Sequence, residues 1–262
     1  MARSNFPAVM DEVFRHEGGL SMIRSDPGNW TGGKVGVGEL RGTNFGIASH
    51  AHPNVDIKNL TKAQAREIYR RQYWNPIKGD DLPAGIDLVT MDPAVNSGVS
   101  RGARWLQQAL GGVTVDGRIG PQTVSASQKA DPVPVIKRAC ATRMGFLRGL
   151  RTWGTFGTGW SRRVASVEAV SVRMATEAQG AKPRPVLIAE KDQAVARAQR
   201  DQAGAGGTVV GGGATTLADI PLTGLIAVGV VVVIAVIMVL GHRKHELDRA
   251  EAYQREAEKA KP

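Results

Sequence analysis

The first apolar pattern in the chain is helical. Phe6, Val9, Met10, Val13 and Phe14 recur at i, i+3, i+4, i+7 and i+8, which lays one apolar stripe along a helix. Ser4 or Asn5 can cap its start, and Pro7 suits a first turn, where no backbone N–H is needed. Gly18 and Gly19 are expected to end it, because glycine takes the left-handed backbone of a helix C-terminus without strain. Glu17 then falls on the last turn. Residues 20–50 lose the helical period and are rich in Gly, Asp, Asn and Thr. The weak alternation from Gly32 to Leu40 predicts a short hairpin or a mobile flap. The helical pattern resumes at Thr61, where Thr61-Lys62-Ala63-Gln64 has the form of a capping box, and runs to about Trp74. Further helices are expected over about 84–95, with Pro93 as a kink or a start, over 100–110, from Gly120-Pro121 onward, and over 132–150 and 160–178. Trp153 to Trp160 reads as the connection between the last two.

The pattern changes after residue 179. Pro183 and Pro185 interrupt it, 189–202 reads as a short exposed helix, and Gly204 to Gly213 as a flexible linker. Leu222 to Leu240 carry no charge. As a helix that run is about 28 Å long, close to a bilayer core of about 30 Å, so it predicts a transmembrane helix. Arg243 and Lys244 just beyond it would place the tail in the cytoplasm. In the tail itself, Glu246, Arg249, Glu251, Arg255, Glu256 and Lys259 put opposite charges about one turn apart, the signature of a solvated helix.

Net charge narrows the partners. At +10 the chain favours a polyanion, and nucleic acid, anionic lipid and bacterial cell wall all qualify. No nucleic-acid reading motif is present, which sets the first aside. Arg101, Arg104, Arg118, Arg162 and Arg163 read as a solvated basic face. The single cysteine, Cys140, excludes an internal disulfide and is expected to be buried in a helix. Residues 1–7 lack the apolar core of a secretory signal. His50 and His52 are a conceivable metal pair, but nothing supplies a third ligand, and the reading calls for no metal and no cofactor.

Candidate chemistry centres on Glu17. A carboxylate at a helix C-terminus faces the negative end of the helix dipole, which favours its protonated form. An apolar wall of Phe14 and Phe45 would add desolvation in the same direction, the environment of a general acid. Asp26, in Asp26-Pro27-Gly28, is either a second working carboxylate or a turn former. Thr43 is a candidate for holding a water, or simply a strand threonine. Trp105, Trp153 and Trp160 either stack on sugars or pack in the core.

These segments, taken in order, resemble glycoside hydrolase family 108, the phage and bacterial N-acetylmuramidases. The resemblance rests on Glu17-Gly18-Gly19, Asp26-Pro27-Gly28, Thr43-Asn44-Phe45-Gly46-Ile47, Ile68 to Trp74, Gly79 to Pro83 and Ala94 to Gly98. Ala103 to Gln107 and Asp116 to Pro121 resemble the peptidoglycan-binding module that often follows. The resemblance covers about residues 6–175. It implies a mainly α, lysozyme-like helical domain with a small β or irregular insert, followed by helices of a wall-binding-like module. With the segments outside it, the expected domains are 1–95 (muramidase), 96–178 (binding module), 179–216 (linker), 217–241 (transmembrane helix) and 242–262 (charged tail). The implied activity is hydrolysis of the β-1,4 bond between N-acetylmuramic acid and N-acetylglucosamine. Glu17 would be the acid, Asp26 and Thr43 its catalytic partners by analogy with phage-type lysozymes, and inversion the expected outcome. Phe45, Asn96 and Trp105 are the expected sugar contacts. Peptidoglycan, a lipid bilayer through 217–241 and a holin are the expected partners. The enzyme would be anchored at the bacterial inner membrane and act on the periplasmic wall. The alternatives are a lytic transglycosylase and a non-catalytic, wall-binding or holin-like lysis protein. The chain departs from the family in carrying Asn29 to Gly42 between its second and third motifs, where Thr31 competes with Thr43, and in having Leu20 where the family often has Tyr.

Overall fold

The structure is a computed structural model that describes residues 4–207 and 222–260, with side chains for 4–202 and 239–260. The fold is mainly α-helical. It divides into two compact units, Met1–Arg143 and Met144–Pro262.

In the first unit, α1 (Phe6–His16) buries Phe6, Val9, Met10 and Val13, the stripe expected from its period. A loop layer follows. It contains one two-stranded antiparallel hairpin, β1 (Thr43–Asn44) and β2 (Ile47–Ala48), with Thr43 opposite Ala48 and Asn44 opposite Ile47. Ser21 bridges to Thr43 and Trp30 to Leu40. The expected hairpin at 32–40 is therefore an irregular loop closed by one bridge, and Gly33, Gly36 and Gly38 supply its positive-φ corners. Next come α2 (Lys62–Tyr69), α3 (Ile86–Ser97), α4 (Val99–Leu110), α5 (Pro121–Lys129) and α6 (Pro132–Arg148). The Thr61 capping box forms in both directions, with the Thr61 hydroxyl accepting from the Gln64 N–H and the Gln64 side chain accepting from the Thr61 N–H. After α2 the chain takes one π-helical turn, Arg70–Trp74. It lets Tyr69 and Tyr73 stack at 5.5 Å while Trp74 points inward, fully buried, against Phe6 at 5.2 Å.

The core of this unit is α3, buried from Ile86 to Ala94 on every face. Pro93 lies inside it without ending it. Gly102 of α4 lets the two helices touch: a Cβ there would fall 2.9 Å from the Thr90 carbonyl. Two buried carboxylates of this unit, Asp92 and Asp87, are paired. Arg143 donates to Asp92 Oδ2 at 2.6 Å and to Asn96 Oδ1 at 2.9 Å. Asp87 accepts from Asn5 and from the backbone N–H of Gly85 and Leu88. Burial nevertheless pushes the Asp87 carboxyl up to about 7, against the opposing effect of these hydrogen bonds.

The second unit is built on α7 (Trp153–Ala178), α8 (Pro183–Gly207) and α9 (Leu222–Lys259). Three expectations are corrected here. The Trp153–Trp160 connection is the first two turns of α7. Three glycines oppose a helix there, but the Trp153 and Trp160 rings meet at 6.3 Å, Phe156 and Trp160 at 5.7 Å, and Gly157 leaves room for the Trp153 ring. The start of the expected polar linker is α8, whose Leu187, Ala194 and Ala198 are buried. The charged tail is solvated on one face only, where Arg255 and Glu251 form the expected exposed pair; its other face is buried. Arg249 bonds the Glu168 carboxylate through Nε at 2.9 Å and also through Nη2, and bonds Glu246 at 2.6 Å, while Tyr253 donates to Glu168 at 2.7 Å, all of them buried. Glu168 and Glu246 hold the Arg249 guanidinium above its ordinary range despite its burial.

The expected transmembrane segment, 217–241, is described only in part. Residues 217–221 are not described, and 222–238 are described as backbone only. Among the described residues no helix is long and apolar enough to cross a membrane. The membrane anchor, with the bilayer and a holin as partners, therefore gains no support. What is described is one helix running from Leu222 to Lys259 with no break at residue 241.

Two outcomes follow. Glu168→Ala leaves the buried Arg249 guanidinium with Glu246 alone and Tyr253 without its acceptor, and is expected to destabilise the second unit by about 3 kcal/mol, measured by urea unfolding of the full chain. For Asp87, a folded-state pKa near 7 against an ordinary 3.8 means that the native carboxyl holds a proton the unfolded chain releases. Its contribution is intact below the unfolded value and is lost as pH rises towards 7. Asp87→Asn is expected to flatten the stability profile between those pH values, compared in unfolding curves at acidic and neutral pH.

Candidate active site

Glu17 is the first residue after α1, not part of its last turn. Its extended backbone (φ −95°, ψ 141°) ends the helix, and its N–H still bonds the Phe14 carbonyl at 3.3 Å. Neither Gly18 nor Gly19 has a positive φ, so the expected glycine stop is not used. A side chain at either glycine would meet open space. The chain is thus uncovered just beyond the half-buried Glu17.

The hairpin turn closes over the carboxylate. Its two turn residues, Phe45 and Gly46, both have positive φ (50° and 74°), the geometry of a tight hairpin that matches strand twist. For phenylalanine that geometry is strained. Tyr69 holds it in place, its hydroxyl donating to the Phe45 carbonyl at 2.9 Å. Gly46 is required sterically as well as conformationally, because a Cβ there would lie 2.6 Å from Tyr69 Oη and 2.7 Å from Glu17 Oε2. The glycine, the phenol and the carboxylate therefore occupy one small space. Phe14 lines it, 5.6 Å from Phe45 and edge-on to Tyr69 at 5.4 Å. Tyr73 completes it: burial first, and then the negative charge of Glu17, push its phenol upward. The sequence-expected wall of Phe14 and Phe45 is present, and Tyr69 and Tyr73 extend it. Those tyrosines lay within the recognised stretch Ile68 to Trp74, four residues apart and so on one helix face, and the fold brings that face to Glu17.

Asp26 and Thr43 sit in the same loop layer. Asp26 caps a single 3-10 turn (Pro27–Asn29), its exposed carboxylate accepting from the Gly28 N–H at 2.8 Å. His50 lies across Gly28 from it: a Cβ on that glycine would be 3.2 Å from Asp26 Oδ1 and 3.7 Å from His50 Nδ1. Thr43 donates its hydroxyl to Asn29 Oδ1 at 2.7 Å, and Asn29, fully buried, donates to the Ile23 carbonyl. Asn29 thereby links the Asp26 turn to the strand that leads to the Glu17 turn. Thr31, the competing threonine, accepts from the Glu39 N–H and stays in the irregular loop. Asn96 and Trp105 belong to helix packing instead. Asn96 is engaged by Asp92 and Arg143, and Trp105 is 6% exposed within α4. Burial and the neighbouring His50 push His52 downward. Among the described residues no group of three or more His, Cys, Asp or Glu is arranged to hold a metal.

The residues that build this geometry fall within the first of two stretches that match known domain families. Residues 10–98 match the family Glycosyl hydrolase 108, and residues 101–165 match a Predicted Peptidoglycan domain. Nine solved chains match, among them Brucella abortus SagA, which is 37% identical over 66% of this chain and 97% of its own, with a TM-score of 0.55. No curated protein matches.

Gly46→Ala is expected to displace the Glu17 carboxylate and to destabilise the fold by about 1–3 kcal/mol, from the strained φ and the blocked space together. Tyr69→Phe, which loses the bond to Phe45 but leaves the ring in place, is expected to cost about 1 kcal/mol. Urea unfolding of both variants checks the order.

Proposed function

Because the chain belongs to the glycosyl hydrolase 108 family and carries a peptidoglycan-binding domain, we propose that this peptidoglycan-directed glycoside hydrolase is an N-acetylmuramidase with Glu17 as its general acid. The observation that carries the reading is the setting of Glu17, a carboxylate at a helix end, walled by Phe14, Phe45, Tyr69 and Tyr73 and open on the side of Gly18 and Gly19. Cleavage of a glycosidic bond needs a proton delivered to the leaving oxygen and negative charge near the oxocarbenium-like centre. Glu17 supplies the proton.

Asp26 is the second carboxylate in this proposal. The Gly28 N–H engages Oδ1 and sets the carboxylate's direction, and Oδ2 is left to orient a water or to face the positive centre. Thr43, whose proton is committed to Asn29, offers only lone pairs to a water. A water activated by Asp26 and held by Thr43 would attack the face opposite the departing sugar, giving inversion. The bond cleaved is the β-1,4 link after N-acetylmuramic acid.

Glu17→Gln is expected to abolish wall clearing in a zymogram while leaving the melting temperature unchanged. A variant that still clears walls overturns the assignment. Asp26→Ala should lower hydrolysis by about 100-fold or more, the usual scale of a lost acid–base group. Its residual products, analysed by mass, should still carry reducing ends, whereas 1,6-anhydro ends would instead mark a transglycosylase.

A further inference from the structure

A second recess opens in the loop layer of the first unit. It has a volume of about 400 Å³ and is lined by Met22, Leu40, Arg41, Asn54, Asp56 and Lys58. Its two sides differ in chemistry. Met22 and Leu40 form an apolar wall. Arg41, Lys58 and Asp56 bring two positive charges and one negative charge to the other side.

The charged groups are set before any ligand arrives. Arg41 is tied to the Glu39 carboxylate through Nε at 2.7 Å and to the Pro53 carbonyl through Nη1 at 2.9 Å. Asp56 receives the Asn59 backbone N–H at 3.3 Å and the Asn59 side-chain amide at 2.9 Å. Those bonds, and then Arg41, keep the Asp56 carboxyl below its usual range. The Lys58 ammonium has no ion-pair partner among the described residues. The apolar wall is set in the same way: Gly42, at φ +84°, lets the chain pass so close that a Cβ would fall 2.5 Å from Met22 Sδ.

A pocket with cations beside an anion, backed by an apolar wall, does not select a plain anion or a plain cation. It matches a group that carries both charges on one carbon, at the end of a short methylene chain. Its position adds to the argument. From Leu40 the chain runs through β1 to Gly46, which touches Glu17, at most about 20 Å away along an extended strand. An extended peptide of three residues reaches about 10 Å, so the stem that fills the recess hangs from a sugar lying between Glu17 and Leu40.

Resting on the peptidoglycan reading above, we propose that this recess binds the zwitterionic end of a diamino acid in the peptide stem. Its carboxylate lies on Lys58 and Arg41, its ammonium on Asp56, and its methylenes on Met22 and Leu40. The site makes the enzyme prefer glycan that still carries its peptides.

Two measurements test it, using Lys58→Ala and Asp56→Asn, the latter keeping an acceptor for Asn59. The first is cleavage of intact sacculi against sacculi stripped of peptides by an amidase. Wild type should cleave the intact wall faster by at least about tenfold, the factor one charge-assisted contact supplies. Both variants should lose that preference and keep the wild-type rate on stripped glycan. Equal wild-type rates on the two substrates, or variants that slow on both alike, overturn the proposal. The second does not depend on catalysis. A soluble tripeptide ending in a diamino acid is titrated into the Glu17→Gln chain and followed by NMR. Shifts at Lys58 and Asp56, absent when the terminal ammonium is acetylated, support the site. No shift, or equal shifts with the acetylated peptide, overturns it. A wild type that cleaves neither wall while the peptide still binds overturns the muramidase reading and leaves this one standing.

Discussion

The approach of Gly46 to the Glu17 carboxylate is the constraint on which the first unit is organised. A turn of two positive-φ residues is needed to bring backbone, rather than a side chain, against the acid. One of the two is phenylalanine, so the turn is held against its own preference. The hydrogen bond from Tyr69 and the packing of Phe14 on both rings provide the hold. The acid itself depends on the backbone leaving α1 in an extended conformation at Glu17. Helix end, turn and phenol fix one another, so the Glu17 carboxylate is held in place by its surroundings.

The second unit is held on a different basis. Its helices meet through Glu168, Arg249, Glu246 and Tyr253 as well as through small apolar residues such as Ala194, Ala250 and Ala257. A buried ionic cluster contributes little net stability compared with an apolar core of the same shape. It specifies register, because a helix displaced by one turn would leave charges unpaired. Ser161 adds to that specification, bonded to Asp248 and to His245. Burial, with Arg148 and Arg249 nearby, pushes His245 down to about 3 and keeps it neutral.

Much of this was legible in the sequence. The stripe of α1, the Thr61 capping box, Pro121 at the start of α5 and the buried Cys140 are all local signals, read at a helical period or a known cap. Glu17 and its wall of Phe14 and Phe45 were also legible, because glycine motifs marked the breaks around them. What was not legible depended on distant partners. Arg249 and Glu246 look like a solvated pair when only neighbours one turn away are considered, and only Glu168, far earlier in the chain, makes them a core. Trp153 to Trp160 looks like a loop until its rings are seen to stack. Tyr73 was hidden in the same way, because its place beside Tyr69 on one helix face is a local signal but the approach of Glu17 to that face is not.

That turn, Arg70–Trp74, also limits how this lineage can change in length. Loss of one residue there would restore regular winding and improve the helix taken alone. It would also swing everything downstream by about 100°, taking Tyr73 away from the Glu17 side chain and Trp74 out of the core. The irregular loop at 32–38, whose glycine corners face solvent, has no such phase to preserve. Insertions and deletions among relatives should therefore gather in that loop and be purged from the five-residue turn, however close the two lie in the chain.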